Sequence, residues 1–321
     1  MSFPSVSVVI PVKNEAFKIR ACIGGILKQT VPVKEIIVID SGSTDGTLAI
    51  LKEYPIIKLI EIDPQDFNHG ETRNMGVRNA SSEFVLLTVG DARPCNEYWI
   101  EEMLNGFIDD EVSAVCGQQV VPHEKDKNPA DWFRPVSEPE IRRYQYKHPS
   151  AFEALTPAQK KEACGWDDVN ALYRRSVLME IPFQQTPYCE DAIWARDALL
   201  RGHAIVYNFK ARVYHYHHEN SDFVLKRSFT TMYFRYRLFG YLYERPAFTL
   251  HNRLSLIKIL LRSCGASISD IIKWYKYNKK NFHAVLEAYI LFNKTLAQGE
   301  KALDDLHMKL CGQPPVPLKA Q

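Results

Sequence analysis

Strands and helices alternate through residues 5–89, and each strand is apolar along nearly its whole length instead of at every second position. The runs SVSVVIPV (5–12), KEIIVID (34–40), IIKLIEI (56–62) and EFVLLTV (83–89) are separated by EAFKIRACIGGILKQ, TDGTLAILKEY and GETRNMGVRNA, three segments that read as helices. A strand apolar on both sides must be covered on both faces, and in this order that means an α/β fold with a mostly parallel central sheet. Ligands of such sheets bind beyond the carboxyl ends of the strands. The residues directly after the strands are therefore the informative ones, and here they are polar: KNE, DSGSTDG and GDARP.

The pattern weakens over 124–166, where prolines and charges alternate, and a long loop or mobile insertion over a site is expected there. Order returns with DDVNALYRRSVLMEI, CEDAIWARDALLRG and the strand-like HAIVYNFKARVYHYHH. Past residue 221 the composition shifts: residues 223–280 carry twelve Lys and Arg against two acids, interleaved with aromatic and aliphatic side chains. The expected division is an α/β domain over 1–221 and a basic, aromatic helical region over 222–321, closing on a final helix at QGEKALDDL and a frayed end at CGQPPVPLKAQ. Overall charge argues for neither nucleic acid nor an acidic substrate, because the 321 residues sum to only +2. Seven cysteines include no CxxC pair, so neither a zinc site nor a redox dithiol is indicated, and reduced thiols in a cytoplasmic protein are expected. No secretory signal pattern and no run of about 18 apolar residues is found, so a spanning helix is not expected.

Taken singly, the polar motifs are ambiguous. Asp40 closes a strand and enters a tight polar turn, where a carboxylate can accept from a nucleobase or ribose; the same residue types are also common helix caps. No GxGxxG follows the first strand, which removes most support for a nicotinamide or flavin site. Glu190 and Asp191 open a helix, where its dipole and free amides favour anions. In VYHYHH, period-two alternation puts His215 and His217 on one face of a strand. GDARP offers one acid, Asp91, with Arg93 two places later.

Together, SVVIPVKNE, IIVIDSGSTDGT, NHGETRNMG, an acid after the fourth strand and CEDAIW form an ordered set that resembles glycosyltransferase family 2 over residues 5 to 221. Within it, DFNHGETRN, GDARP, CGQQVVP and ARVYHYH are most similar to bacterial rhamnosyltransferases of polysaccharide assembly. The resemblance implies a GT-A fold. It also implies inverting transfer of a sugar, such as rhamnose, from a dTDP- or UDP-sugar to a saccharide or lipid-linked acceptor on the cytoplasmic side.

By the same resemblance, Pro11, Asn14 and Glu15 would line the nucleotide pocket, and Asp40 would hold the base in a wall shared with Ser41 and Ser43. His69, Gly70, Arg73 and Asn74 would lie near the ribose and diphosphate, a place that suits the permanently charged fork of Arg73. Asp191 would be the general base that takes the proton of the attacking hydroxyl, with Glu190 orienting the acceptor. Asp168 and Asn170 would bond acceptor hydroxyls, and Trp166 would stack on a sugar ring or else pack in the core. Many family members carry Asp-x-Asp where this chain has Asp91-Ala92-Arg93. Two outcomes stay open: Asp91 binds Mn²⁺ or Mg²⁺ with His215 or His217, which is the expectation, or Arg73 and Arg93 offset the leaving-group charge without a metal.

The basic helical region is expected either to contact an anionic membrane surface or to pack as an ordinary subdomain or homodimer contact. Nucleic acid is not expected, since no recognition motif accompanies the charge. Two rival functions remain. A sugar nucleotidyltransferase would need a Gly-rich basic loop after the first strand, which PVKNEAFKIR lacks. A non-catalytic scaffold of the same fold would explain Arg93 in place of a second acid.

Overall fold

A computed structural model describes residues 4–124, 126–133, 136–263 and 267–312. The chain divides into two compact units, Met1–Val120 with Val136–Tyr216, and Val121–Pro135 with His217–Gln321.

The first unit begins with β1 (Val6–Val12), α1 (Ile19–Leu27), β2 (Glu35–Asp40), α2 (Thr47–Leu51), β3 (Ile57–Glu61), α3 (His69–Asn79) and β4 (Phe84–Leu87). It continues with β5 (Arg93–Pro94), α4 (Trp99–Asn105), β6 (Val112–Val120), β7 (Ile141–Tyr144), α5 (Pro149–Glu153) and α6 (Pro157–Ala163), then β8 (Ala171–Arg174), α7 (Arg175–Glu180), α8 (Glu190–Leu200) and β9 (Ala204–Tyr214). The sheet order is β3-β2-β1-β4-β8-β6-β9-β5, with β7 on β9. β1 to β4 pair in parallel, as their double-sided apolar character requires. β8 runs antiparallel to both β4 and β6, and β6 and β9 are parallel again, so this half of the sheet is mixed. Direction was not legible there because Ala171, Leu172 and Tyr173 of β8 are wholly buried, the same signature that a parallel strand carries.

One face of the sheet sets Val8, Ile10, Ile36, Val38 and Leu86 against Ile19 and Ile23 of α1 and Trp99 and Met103 of α4. On the other face α3 lies so close that a Cβ on Gly76 would fall 2.2 Å from Val9 Cγ1. The stretch expected as a long loop over 124–166 instead contains β7, α5 and α6. α6 starts at a capping box between Thr156 and Gln159, a local signal that the surrounding prolines and charges mask.

The second unit is helical: α9 (Ser221–Phe239), α10 (Leu250–Arg262), α11 (Ile268–Leu296) and α12 (Glu300–Cys311). Tyr233 donates to Asp304 at 2.7 Å and stacks on His307, joining α9 to α12. The Asn128 and Asn278 amides exchange hydrogen bonds, tying the 121–133 segment to α11. Among the described residues no helix is long and apolar enough to cross a membrane. The cysteines described form no disulfide with one another; Cys264 and the frayed end expected over 313–321 lie outside the described residues.

Candidate functional site

Strand registers gather the polar segments at one edge of the first unit's sheet. Asp40 ends β2 beside Val12 of β1. Leu87, at the carboxyl end of β4, pairs with Ala171 at the amino end of antiparallel β8, so the loop after Leu87 meets the 167–170 turn; Thr88 donates to Val169 O at 2.9 Å. Gln119 and Val120 of β6 pair with Val213 and Tyr214 of β9, which delivers His215 to the same edge.

At the β1–β2 rim, Asn14 stands in the left-handed region (φ 57°) and its side-chain oxygen accepts from Thr44 N at 2.8 Å. Asn14 N donates to Ser43 Oγ and Glu15 N to Thr47 Oγ1, both at 2.8 Å, so the two loops form one wall. Asp40 is 1 % exposed, and its Oδ1 accepts from Gly42 N and Ser43 N. The turn needs Gly42 at φ +86°. Among the described residues Asp40 Oδ2 is buried with no hydrogen-bond partner, as are Arg73 Nε and Asp168 Oδ2, but it alone of the three has no ion pair. Ser41 is buried against Val12 O, and half-buried Pro11 sits within β1.

Asp91 lies between Lys18 Nζ at 3.0 Å and His215 Nε2 at 3.4 Å. β5 makes this meeting possible, because Arg93 pairs with Tyr214 in the ladder and lays its guanidinium over the Tyr214 ring at 4.6 Å. Burial opposes ionisation of Asp91, yet His215 and Lys18 outweigh it and hold the carboxyl well below the usual carboxylate range. Burial, and then the Asp91 charge, push the neighbouring Glu15 carboxyl up to about 7. Gln119, which the sequence did not single out, accepts from His215 Nδ1 through Oε1 at 2.6 Å while its amide nitrogen donates to the Asp167 carboxylate. That fixes the imidazole with Nε2 toward Asp91, the nitrogen a cation would take. A carboxylate and an imidazole placed this way fit Mn²⁺ or Mg²⁺. His215 and His217 both lie beyond the end of β9, so strand alternation is not what orients them, and His217 is the first residue of the second unit.

Glu190 and Asp191 open α8, as the sequence implies, after Cys189 at φ 61°. Glu190 is buried and receives Arg73 Nη1 at 2.8 Å, while Arg73 Nε lies 3.6 Å from Asp168 Oδ2. Arg73, expected at the diphosphate, is therefore spent on two buried carboxylates, because it points inward from α3. Asn74 is likewise structural, bonding both the N–H and the carbonyl of Phe183. His69, the exposed first residue of α3, packs edge-on to Phe67. Asp191 remains half-buried, and its only hydrogen bond among the described residues comes from Ala192 N. Burial, then the charges of Glu190, Asp168 and Asp167, raise its proton affinity well above that of an ordinary aspartate. A carboxylate so placed suits a general base.

The three expected acceptor residues lie inside the protein. Trp166 is 2 % exposed among Tyr173, Trp194 and Tyr207 and donates to Tyr173 Oη, so the packing reading holds and no ring face is offered to a sugar. Asn170 is wholly buried, accepting from Trp99 Nε1 and donating to Ala211 O where the β6–β9 ladder shifts register. Asp168 accepts from Tyr173 Oη beneath Arg73. Beside them a groove of about 250 Å³ opens between the end of β6 and β7, bordered by Gln118, Gln119, Asp167, Arg142, Tyr144 and Phe209. Gln118 Oε1 is buried there without a hydrogen-bond partner among the described residues.

Residues 7–181 match the family described as Glycosyl transferase family 2. The chain is similar to the O-antigen chain rhamnosyltransferase RfbN of Salmonella typhimurium, with 29 % identity over 70 % of this chain and 71 % of that one. It is also similar to the O-antigen chain rhamnosyltransferase WbaN of Salmonella anatum, with 31 % identity over 71 % of each. Mannosyltransferase PcManGT from Pyrobaculum calidifontis, solved with GDP-Man and Mn²⁺, shares the fold at TM-score 0.52 and 18 % identity, over 95 % of this chain and 79 % of that one. With a mixed α/β sheet, a polar strand-end rim and a family match over more than half its length, the chain belongs to glycosyltransferase family 2 and is a glycosyltransferase of GT-A fold.

Proposed function

We propose that the protein transfers a sugar, with inversion, from a dTDP- or UDP-sugar to a saccharide or lipid-linked acceptor in surface-polysaccharide assembly, with rhamnose as the sugar. The observation that carries this reading is a line of polar residues that starts at the sheet edge and ends in the buried ion pairs beside Asp191. It runs from Asp40 through Ser43, Asn14, Glu15 and Lys18 to Asp91, then through His215 and Gln119 to Asp167, Asp168, Arg73 and Glu190, beside Asp191. The Asp40 oxygen that has no hydrogen-bond partner among the described residues suits the imide N–H of uracil or thymine. Asp191 accepts the proton of the attacking hydroxyl as its oxygen bonds the anomeric carbon and the diphosphate departs with the bonding pair. Arg73 keeps Glu190 and Asp168 fixed below Asp191, so the base does not relax away from the acceptor. The acceptor enters by the groove at Gln118 and Tyr144, in place of the buried Trp166 and Asn170.

Asp91 and His215 offer a carboxylate oxygen and an imidazole nitrogen, donors that suit Mn²⁺. When bound, a divalent cation supplies positive charge to the leaving diphosphate. A metal-free reading has its own support in Lys18, whose ammonium already sits 3.0 Å from Asp91. The names of the Salmonella relatives support rhamnose, and the GDP-Man and Mn²⁺ of the mannosyltransferase support a nucleotide-sugar donor and a cation.

A thermal-shift screen of dTDP, UDP, GDP and their sugars, with and without Mn²⁺, tests the reading. Specific binding stabilises the fold by RT ln(1 + [L]/Kd), about 2.7 kcal/mol at a hundredfold excess over Kd. A dTDP or UDP shift that grows with Mn²⁺ is expected. A flat response to every nucleotide would favour a scaffold.

A further inference from the structure

α10 packs inward through Leu256 and Leu260 against Trp274 of α11 and Phe248. Four other apolar residues of the same helix, Leu250, Leu254, Ile257 and Leu261, face solvent at 37–72 % exposure. At 3.6 residues per turn they fall within an arc of about 60° and extend about 16 Å along the axis. Ile268 and Ile272 in the first turns of α11 are exposed as well, at 78 % and 50 %. Buried and exposed apolar faces on one helix mean that tertiary packing within the unit uses only half of its hydrophobic surface.

Charge selects the partner. Exposed Arg253 and Lys258 flank the stripe on its two sides, and Arg262 follows at the end of the helix; α10 has no acid. Residues 250–280 carry seven Lys and Arg against one acid, Asp270. A second copy meeting this face about a two-fold axis would set like charges against each other. An anionic bilayer matches both features, with acyl chains for the leucines and headgroup phosphates for the cations. With 13 residues α10 falls short of the roughly 20 needed to span, so it would lie in the membrane plane.

We propose that the outer face of α10, continued by Ile268 and Ile272, docks on an anionic membrane surface. This reading is independent of the transfer chemistry, since it needs no donor or acceptor. The test is flotation of the full chain with vesicles of phosphatidylcholine alone and with 30 % phosphatidylglycerol. Binding to the anionic vesicles only, and its loss in 0.5 M NaCl, is expected. The double variant Leu254→Glu/Leu261→Glu should weaken that binding at least tenfold, and Lys258→Glu/Arg262→Glu likewise, with circular dichroism and melting unchanged because all four side chains are exposed. Three results would overturn the proposal: no flotation of the native chain with anionic vesicles, variant binding equal to native, or a native dimer that the leucine variant makes monomeric, which would assign the stripe to a second copy.

Discussion

Asp40 and Asp168 are both almost fully buried carboxylates of the first unit, and they are built for opposite purposes. Asp168 accepts from Tyr173 Oη on one oxygen, and its other oxygen, without a hydrogen bond among the described residues, lies 3.6 Å from Arg73 Nε. Asp40 spends one oxygen on its own turn, and among the described residues its other oxygen has neither a hydrogen bond nor an ion pair. The region between α3 and α8 is thus held by ion pairs, and the β1–β2 rim keeps a buried carboxylate without one. The difference separates residues whose loss should unfold the domain from residues whose loss should empty the site.

The largest effect on stability is expected in the ion-pair core. Arg73→Met leaves Glu190 and Asp168 buried without their cation, and breaking such a pair typically costs about 3–5 kcal/mol. Chemical denaturation measures it, and a loss below about 1 kcal/mol would mean that these ion pairs do not hold the core. At the rim, Asp40→Asn should leave denaturation nearly unchanged while weakening nucleoside-diphosphate affinity by about 1.5–3 kcal/mol, the usual worth of a hydrogen bond to a charged group. Calorimetric titration checks this, and equal affinity would remove Asp40 from the nucleotide wall. Gln119→Leu frees the His215 ring and should lower Mn²⁺ affinity roughly 10- to 100-fold, as removal of a metal ligand's supporting partner does. Direct Mn²⁺ titration monitored by electron paramagnetic resonance distinguishes that loss from a change in turnover.

A smaller effect concerns pH. Asp191 holds its proton more tightly folded than unfolded, so its ionisation costs stability as pH rises from the unfolded aspartate range through the raised folded value. Asp191→Asn should therefore melt at the same or a higher temperature than the native chain at neutral pH. In the native enzyme, transfer should fall as pH is lowered through that raised value, because only the carboxylate accepts a proton. A profile that is flat down to the ordinary aspartate range would contradict the burial of Asp191.

What could be read from the chain follows the same division. β1 to β4 were legible because each strand is apolar on both faces, and the rim was legible because its contacts run between successive loops, as Asn14 to Ser43 does. The ion-pair core was not, since Arg73 meets Glu190 across 117 residues and Trp99 meets Asn170 across 71. An arginine in NHGETRN looks the same whether it faces a diphosphate or a carboxylate. Gln119 lies within CGQQVVP, but its role was not legible, because its place depends on the β6–β9 register. The basic character of the last hundred residues was plain in composition, but which leucines stay outside was decided by how α10 packs on α11.

The central claim is that one line of polar residues joins a nucleotide-holding rim to a proton acceptor at residue 191. Its most direct test measures transfer and donor affinity together in Asp191→Asn. The account predicts turnover lowered by about 10²–10⁴-fold with nucleoside-diphosphate binding intact. Turnover within a few-fold of native would contradict it.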